Sequence, residues 1–280
     1  MTRLQLKHVA ASICITALTV MVAASPASTS VASTSVVGTR VTTCSGNPVV
    51  AVPTRQHTVE EVAVDLSAST TGSSLRSLYT TAAQAIVSRS AAESALLRVV
   101  PFGPSGVGAQ PVFQASFAAT GDDELFNLAA SNRERCLADR QVASLGSESD
   151  RGRDRGTDVA GMLRSLIAHA RSVAAAKATV TVTVITDGCQ APATIGLNRE
   201  LTDVCGMLAA GKLPETIVAR HAAEFSLPDA TGVTIAIRGV GVGRRPEAAS
   251  TRLAVSVVGF WTMVCRRAHA AACVIGSDLP

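Results

Sequence analysis

The sequence predicts an α/β fold in which a doubly wound, mostly parallel sheet carries helices on both faces and one antiparallel strand at its edge. Two observations predict this fold. Segments with the apolar spacing of helices alternate along the chain with short β-branched runs that are typical of buried strands. The chain is 47% hydrophobic but only 3% aromatic, so its core must consist of aliphatic side chains, which suit strands and packed helices.

Residues 1–24 have the pattern of a secretory signal peptide. Arg3 and Lys7 provide a positive start, an apolar run follows, and Ala24 ends a small-residue cleavage signal. The apolar run is shorter than the about 20 residues that cross a bilayer. We therefore expect a secreted protein, which would be attached to a membrane only if this leader stays uncleaved. Loss of the leader lowers the net charge from +4 to about +2, which is too little for nucleic-acid binding.

The first half of the mature chain predicts a linker and then a βαβ unit. Residues 25–58 form a linker that contains Ser, Thr and Pro and shows no hydrophobic periodicity. The strand that follows the βαβ unit comes directly after a Gly/Pro turn, and this close spacing indicates an antiparallel hairpin at the sheet edge. The predicted elements are strands at 61–66, 95–101 and 112–118 and helices at 73–89 and 122–145.

The second half continues the alternation and completes one domain at 59–280. A charged loop at 147–156 precedes a helix whose apolar residues share one face, and a buried β-branched strand follows. The last helix contains an apolar stretch, 253–264, that is too short to span a membrane. The predicted elements are helices at 159–173, 198–210, 214–225 and 248–267 and strands at 179–186 and 232–238.

Six cysteines follow the leader, and disulfides are expected because the chain is bound for an oxidising compartment. Six cysteines allow fifteen connectivities, of which the sequence favours only the shorter loops. An unbroken helix would separate Cys265 from Cys273 by about 12 Å, so the last helix must end near Ala268. The alternative is a zinc site that also uses His269. The expected pairs are Cys189 with Cys205, Cys265 with Cys273 and, by elimination, Cys44 with Cys136.

Oxygen-bearing side chains follow two of the predicted strands. Asp65, Ser67 and Ser69 alternate, so in extended backbone they point the same way. Asp187 ends the fourth strand, which neighbours the first in the common strand order, and ligand sites form at such carboxyl ends. Two like charges in one crevice repel unless a cation lies between them, and an all-oxygen set favours Mg²⁺.

Three segments of the chain share the residue types of one known metal site. They are residues 65–69 (Asp-Leu-Ser-Ala-Ser), 156–163 (Gly-Thr-Asp-Val-Ala-Gly-Met-Leu) and 185–188 (Ile-Thr-Asp-Gly). Together, and in this order, they resemble the metal-ion-dependent adhesion site of the von Willebrand factor type A domain family, over about residues 59–280. The resemblance implies a Rossmann-like domain with hydroxyl ligands and with carboxylates that act directly or through water. The implied ligands are Asp65, Ser67, Ser69, Thr157 and Asp187.

The resemblance implies a binding protein that is not an enzyme. Its Mg²⁺, with Mn²⁺ or Ca²⁺ as alternatives, would bind a carboxylate of a protein or peptide partner at an open coordination position. One alternative is a haloacid-dehalogenase-like phosphohydrolase with Asp65 as nucleophile and Lys177 near the phosphate, although Ser67 stands where such enzymes have a second acid. Another is a metal-free scaffold in which these residues only cap turns and helices.

Overall fold

The computed structural model describes most of the chain from Val52 onward. The described residues belong to one compact unit, Thr42–Pro280. The predicted signal peptide and most of the predicted linker lie outside the described residues. The described ranges are 52–55, 57–67, 73–103, 110–145, 156–190, 194–195, 199–242 and 248–280.

Strands and helices alternate through the described ranges, as the sequence predicts. The strands are β1 (Thr58–Asp65), β2 (Leu96–Phe102), β3 (Phe113–Ser116), β4 (Thr179–Ile185), β5 (Thr194–Ile195), β6 (Arg199–Glu200), β7 (Val233–Arg238) and β8 (Ala272–Gly276). The helices are α1 (Ser73–Ala92), α2 (Glu124–Ser144), α3 (Val159–Val173), α4 (Val204–Ala209), α5 (Pro214–Arg220), α6 (Ala222–Phe225) and α7 (Ala248–Arg267).

Six of these strands form one sheet in the order β3-β2-β1-β4-β7-β8. All neighbours in it pair in parallel except β2 and β3, which pair antiparallel at the edge. The predicted doubly wound, mostly parallel sheet with one antiparallel edge strand is therefore confirmed. The strand order reverses between β1 and β4, and ligands of open α/β sheets bind at such a reversal.

Alternate side chains of β1 enter two hydrophobic cores on opposite faces of the sheet. Val59 and Ala63 pack in a core with buried residues of α3, α4, α5 and α7. Val62 and Val64 pack in a second core with α1 and α2. Each fully buried aliphatic side chain contributes roughly 1.5–3 kcal/mol, so this central strand is stabilised from both faces. Helices thus cover both faces, as predicted.

Two predicted helices in the second half have different bounds. The helix expected at 198–210 begins only after Asp203, whose carboxylate caps α4 by accepting a hydrogen bond from the N–H of Gly206 at 2.8 Å. The helix expected at 214–225 is divided into α5 and α6 at His221, where φ is −114° and ψ is 35°. The short ladder of β5 and β6 was not predicted.

The C-terminal strand β8 was also missed, because an apolar run of this length does not distinguish a strand from a helix end. After α7 the chain turns at His269, which has a φ of 57°, and runs beside β7. The predicted disulfide between Cys265 and Cys273 is confirmed, with Cα atoms 6.1 Å apart. α7 ends at Arg267, as this disulfide requires. The alternative zinc site is wrong because the disulfide uses both of its cysteines.

The other disulfides agree with export to an oxidising compartment. The predicted pair Cys189 and Cys205 is confirmed, with Cα atoms 5.4 Å apart. Cys136 is also disulfide-bonded. Its predicted partner, Cys44, lies outside the described residues. None of the helices in the described part of the chain is long and apolar enough to cross a bilayer.

Two adjacent glutamates of β1 are buried inside the sheet, although charged residues are usually exposed. Glu60 accepts a hydrogen bond from Arg89 of α1 at 3.2 Å. Glu61 accepts one from Arg98 of β2 at 3.0 Å and lies 2.6 Å from Nδ1 of His169 of α3. Burial raises the pKa of both carboxyl groups, and these partners oppose the rise. The partners therefore offset much of the cost of burying two charges.

Removal of Arg98 should destabilise the domain strongly. Arg98→Met leaves the buried Glu61 carboxylate with less compensation, and we expect a loss of about 3 kcal/mol in the free energy of unfolding. Arg89→Met is the matched control. The Arg89 side chain is 44% exposed against 11% for Arg98, so water can replace it beside Glu60 and the loss should stay below about 1 kcal/mol. Chemical denaturation measures both losses, and equal values would contradict this account.

Candidate metal centre

Asp65 and Asp187 leave neighbouring strands at the same edge of the sheet. β1 and β4 run parallel with Val64 opposite Ile185, so Asp65 lies beside Thr186 and Asp187 comes next. The Thr186 hydroxyl donates a hydrogen bond to Asp65 Oδ2 at 2.7 Å. Folding thus brings together the two acidic residues for which the sequence predicts a shared crevice.

The Asp65 carboxylate is buried, with only 1% of the residue exposed. Its Oδ1 accepts a hydrogen bond from the backbone N–H of Ser67 at 2.9 Å, and the Ser67 hydroxyl also bonds to this carboxylate. Burial raises the pKa of Asp65 to about 7, and the negative charge of Asp187 is the second cause. Hydrogen bonds from Ser67 and Thr186 oppose the rise. At neutral pH the metal-free protein therefore contains both the protonated and the charged form of Asp65.

Residues 186–190, which we call the β4 loop, hold Asp187 in a tight turn. Asp187 is 3% exposed, and its Oδ1 accepts a hydrogen bond from the backbone N–H of Cys189 at 2.8 Å. Gly188 has a φ of +80°, and a Cβ there would lie 2.9 Å from a valine side chain of α7. Trp261 of α7 donates its indole N–H to the Gly188 carbonyl oxygen at 2.7 Å. Helix α7 therefore supports the turn that presents Asp187.

Thr157 reaches the same edge through the chain that precedes α3. It is 1% exposed. The next residue, Asp158, donates its backbone N–H to the carbonyl oxygen of Gly103 at 3.0 Å. Gly103 follows directly on β2, whose last residue, Phe102, pairs with Asp65. These contacts place the Thr157 segment at the carboxyl end of β2, one strand away from Asp65.

The start of α3 is set by Asp158 and Gly161. Asp158 caps the helix, because its Oδ1 accepts a hydrogen bond from the backbone N–H of Gly161 at 2.8 Å. A Cβ on Gly161 would lie 2.1 Å from the other carboxylate oxygen of Asp158. A larger residue at position 161 would therefore have to displace this carboxylate. The cap fixes the first turn of the helix directly after Thr157.

Four of the five predicted ligands, Asp65, Ser67, Thr157 and Asp187, belong to the described residues, and all four are buried. Ser69 lies outside the described residues. Two carboxylates with two hydroxyls form an all-oxygen set, which suits a hard cation such as Mg²⁺. Within the described ranges, no group of three or more His, Cys, Asp or Glu could hold a metal ion. A site at this edge would therefore depend on the serine and threonine hydroxyls.

Three residues that contact the candidate site or support its loops were not identified from the sequence. Thr186 stands in the segment that resembles the adhesion site, and this position could have indicated a role beside Asp65. Trp261 is the single tryptophan of the chain, but the sequence did not reveal which loop it contacts. Gln190 is 0% exposed, and no signal marked it, because glutamine in a loop predicts an exposed side chain.

Lys177 does not lie near Asp65. It stands in the turn before β4, with a φ of 69°, at the amino end of that strand. Asp65 lies at the carboxyl edge. The seven residues of β4 span about 23 Å, so Lys177 could not contact a phosphate bound at Asp65. The lysine on which the phosphohydrolase alternative relied is therefore at the wrong end of the sheet.

No protein-family model matches the chain, and no curated protein matches it. Among solved structures, it is similar to the pilus adhesin SpaC from Lactobacillus rhamnosus GG, with 10% identity over 81% of this chain and 29% of that chain, and a TM-score of 0.41. It is also similar to a mutant of the minor pilin PilB from Streptococcus sanguinis, with 11% identity over 83% of this chain and 59% of that chain, and a TM-score of 0.47.

A third similar structure is the conserved hypothetical protein BatB from Bacteroides thetaiotaomicron. The identity is 13% over 79% of this chain and 91% of that chain, with a TM-score of 0.40. The chain spans less than two thirds of the adhesin and of the pilin. At such low identities and TM-scores these similarities assign neither a family nor a function.

The metal-free protein should lose stability as the pH rises through about 7. Folding raises the pKa of Asp65 from 3.8 to about 7, so the folded state disfavours the charged form. The favourable contribution of Asp65 to the free energy of unfolding is fully present below about pH 4. It falls by at most about 4 kcal/mol as the pH rises through about 7. Denaturation at pH 5 and pH 8 with a chelator measures it. Asp65→Asn should remove this part of the pH dependence, and an unchanged dependence in that variant would contradict the assignment.

Gly161→Ala should destabilise the domain by about 1 kcal/mol, because the new Cβ displaces the Asp158 carboxylate from its cap and the higher helix propensity of alanine offsets only part of that loss. Gly259→Ala is the matched control on α7. A Cβ there meets no atom within 4 Å, so the higher helix propensity of alanine should stabilise the protein by up to about 1 kcal/mol. Thermal denaturation of both variants tests this pair, and shifts of the same sign would refute the argument.

Proposed function

We propose that this chain is an exported, non-enzymatic binding protein that captures a carboxylate of a protein or peptide partner at a divalent-cation site of the von Willebrand factor A type. The ion would be Mg²⁺, with Mn²⁺ or Ca²⁺ as alternatives. The observation that carries the proposal is the buried Asp65 carboxylate, whose pKa is raised by burial and by the charge of the neighbouring Asp187. The proposed ligands are Asp65, Ser67, Ser69, Thr157 and Asp187.

The electrostatics of this edge support a cation. Asp65 and Asp187 are both buried, and the charge of Asp187 disfavours the charged form of Asp65. A proton on Asp65 relieves the repulsion at a pH below about 7. A divalent cation between the two carboxylates would relieve it at higher pH as well, and the nearby Ser67 and Thr157 offer further oxygen donors.

The number of donors supports an external ligand. Mg²⁺ takes six oxygen ligands in octahedral geometry, whereas the chain offers five candidate side chains. At least one position would therefore be left for water or a partner. Only two of the five candidates carry a charge, so a third carboxylate would still gain from contact with the ion. An acidic side chain of a partner meets that requirement.

Two alternatives differ in what they require of the same residues. A metal-free scaffold would keep Asp65 and Asp187 only as turn residues, a role that the hydrogen bonds from the backbone N–H groups of Ser67 and Cys189 also satisfy. A phosphohydrolase would need a phosphate-binding cation near Asp65. Lys177 stands at the opposite end of the sheet, which leaves this alternative without its proposed lysine.

Calorimetric titration with Mg²⁺ and with Mn²⁺ at pH 8 tests the site directly. We expect saturable binding by the wild-type protein and its loss in Asp65→Asn and Asp187→Asn, because each variant removes a charged oxygen donor. Asp123→Asn is the matched control: Asp123 caps α2 by accepting from the Phe126 N–H at 2.9 Å, and asparagine caps equally well. Folded wild-type protein that binds neither ion would overturn the proposal in favour of a metal-free scaffold.

The same proteins distinguish binding from catalysis. With Mg²⁺ present, the wild-type protein should not hydrolyse a generic aryl phosphate, whereas turnover that Asp65→Asn abolishes would support the phosphohydrolase instead.

Partner capture should require the cation. Protein retained from a preparation of cell-surface proteins should be released by a chelator and should not be retained by Asp65→Asn. Retention that survives both treatments would refute carboxylate capture at this site.

A further inference from the structure

The β4 loop ends at Gln190, a polar side chain that is 0% exposed. Its Oε1 accepts a hydrogen bond from the backbone N–H of Ala160 at 3.0 Å. Ala160 is the second residue of α3 and lies three positions after Thr157. The Gln190 carboxamide therefore joins the loop that carries Asp187 to the helix start that follows Thr157.

The orientation of this carboxamide is determined by Glu224. The Nε2 of Gln190 donates a hydrogen bond to Glu224 Oε1. An ionised carboxylate only accepts hydrogen bonds, so the Nε2 side of Gln190 must face Glu224 and the Oε1 side must face the Ala160 N–H. A reversed carboxamide would leave that buried N–H without an acceptor, which is unfavourable.

Glu224 is itself held in place by Thr202. Its Oε1 also accepts from the backbone N–H of Thr202 at 2.9 Å, and its Oε2 accepts from the Thr202 hydroxyl. The same hydroxyl oxygen lies 2.9 Å from Nδ1 of His221. Because the hydroxyl proton goes to Glu224, His221 donates from Nδ1. Three residues, Glu224, Thr202 and His221, thus form a hydrogen-bonded chain that orients the buried carboxamide of Gln190.

A separate link retains the loop when this carboxamide is changed. The disulfide between Cys189 and Cys205 ties the β4 loop to α4, and the backbone N–H of Val204 donates to the Gln190 carbonyl oxygen at 3.2 Å. Neither link involves α3. The side chain of Gln190 therefore fixes the β4 loop relative to α3, whereas the disulfide fixes the loop relative to α4.

We propose that Gln190 is a positioning residue of the cation site: its buried carboxamide, oriented by Glu224, sets the position of Thr157 relative to Asp187. This inference rests on the proposed function, because it assumes that both residues contact one ion. Groups that orient ligands from outside the coordination shell typically account for 10–100-fold in metal affinity. Gln190 would act in this way without touching the ion.

Titration with Mn²⁺ tests the inference. Gln190→Leu keeps the size of the side chain but removes both hydrogen bonds, and we expect Mn²⁺ affinity to fall by about tenfold or more. Asp123→Ala is the control for a general loss of stability, because it removes the cap of α2 on the other face of the sheet and should leave the affinity unchanged. Circular dichroism verifies that each variant is folded.

Exchange of the two partners provides a rescue that a merely structural role would not show. Gln190→Glu alone places two carboxylates together and should weaken Mn²⁺ binding. Adding Glu224→Gln lets the carboxamide at position 224 donate to the new carboxylate at position 190, while the Ala160 N–H keeps its acceptor. The Thr202 N–H, which donates to the same oxygen of Glu224 as Gln190 does, loses its acceptor, so only part of the affinity should return. If the double variant is folded but binds Mn²⁺ no better than Gln190→Glu, the positioning role is wrong.

The outcomes separate this inference from the proposed function. Wild-type protein that does not bind Mn²⁺ overturns both. Wild-type protein that binds, with an unchanged affinity in Gln190→Leu, overturns only the role of Gln190. If Gln190→Leu does not fold, Gln190→Glu decides instead. That variant replaces a charge-assisted hydrogen bond to Glu224 by repulsion between two carboxylates and should weaken Mn²⁺ binding by roughly threefold or more; no change would refute the inference.

Discussion

The hydrogen bond from the Thr186 hydroxyl to the Asp65 carboxylate joins residues that are 121 positions apart in the chain. It forms because β1 and β4 lie side by side at the point where the strand order reverses. Strands on both sides of this pair run in parallel, so their carboxyl ends and the polar residues that follow them meet at one edge. The candidate site depends on this one adjacency.

Strand β1 carries three buried carboxylates, and their surroundings differ. Glu60 accepts hydrogen bonds from Arg89 and Thr183, and Glu61 contacts an arginine and a histidine. Asp65, at the carboxyl end, lies near a second acid that raises its pKa further. Burial of paired charges is tolerated in the middle of a sheet, whereas two adjacent acids are the arrangement that a bound cation stabilises. This contrast within one strand supports the assignment of different roles to its two ends.

The β4 loop is fixed from several directions, and few of its contacts could be predicted. The turn at Gly188 could be recognised from its residue type, since a strand end followed by glycine predicts a sharp turn. The contacts from Trp261 and from Gly241, whose N–H donates to the Asp187 carbonyl oxygen at 3.1 Å, join parts of the chain that only folding brings together. The break between α5 and α6 at His221 was missed because the residues around it have ordinary helix propensity.

The sequence by itself determined the alternation of helices and strands, the antiparallel edge, two disulfides and the order of the oxygen-bearing segments. These depend on residue types and spacings that act over short stretches of chain. Tertiary structure alone decided which partners meet the buried polar groups, such as His169 with Glu61 and Gln190 with Ala160. The physical reason is that such contacts are set by strand order, register and helix placement, and these depend on the packing of the whole core rather than on local sequence.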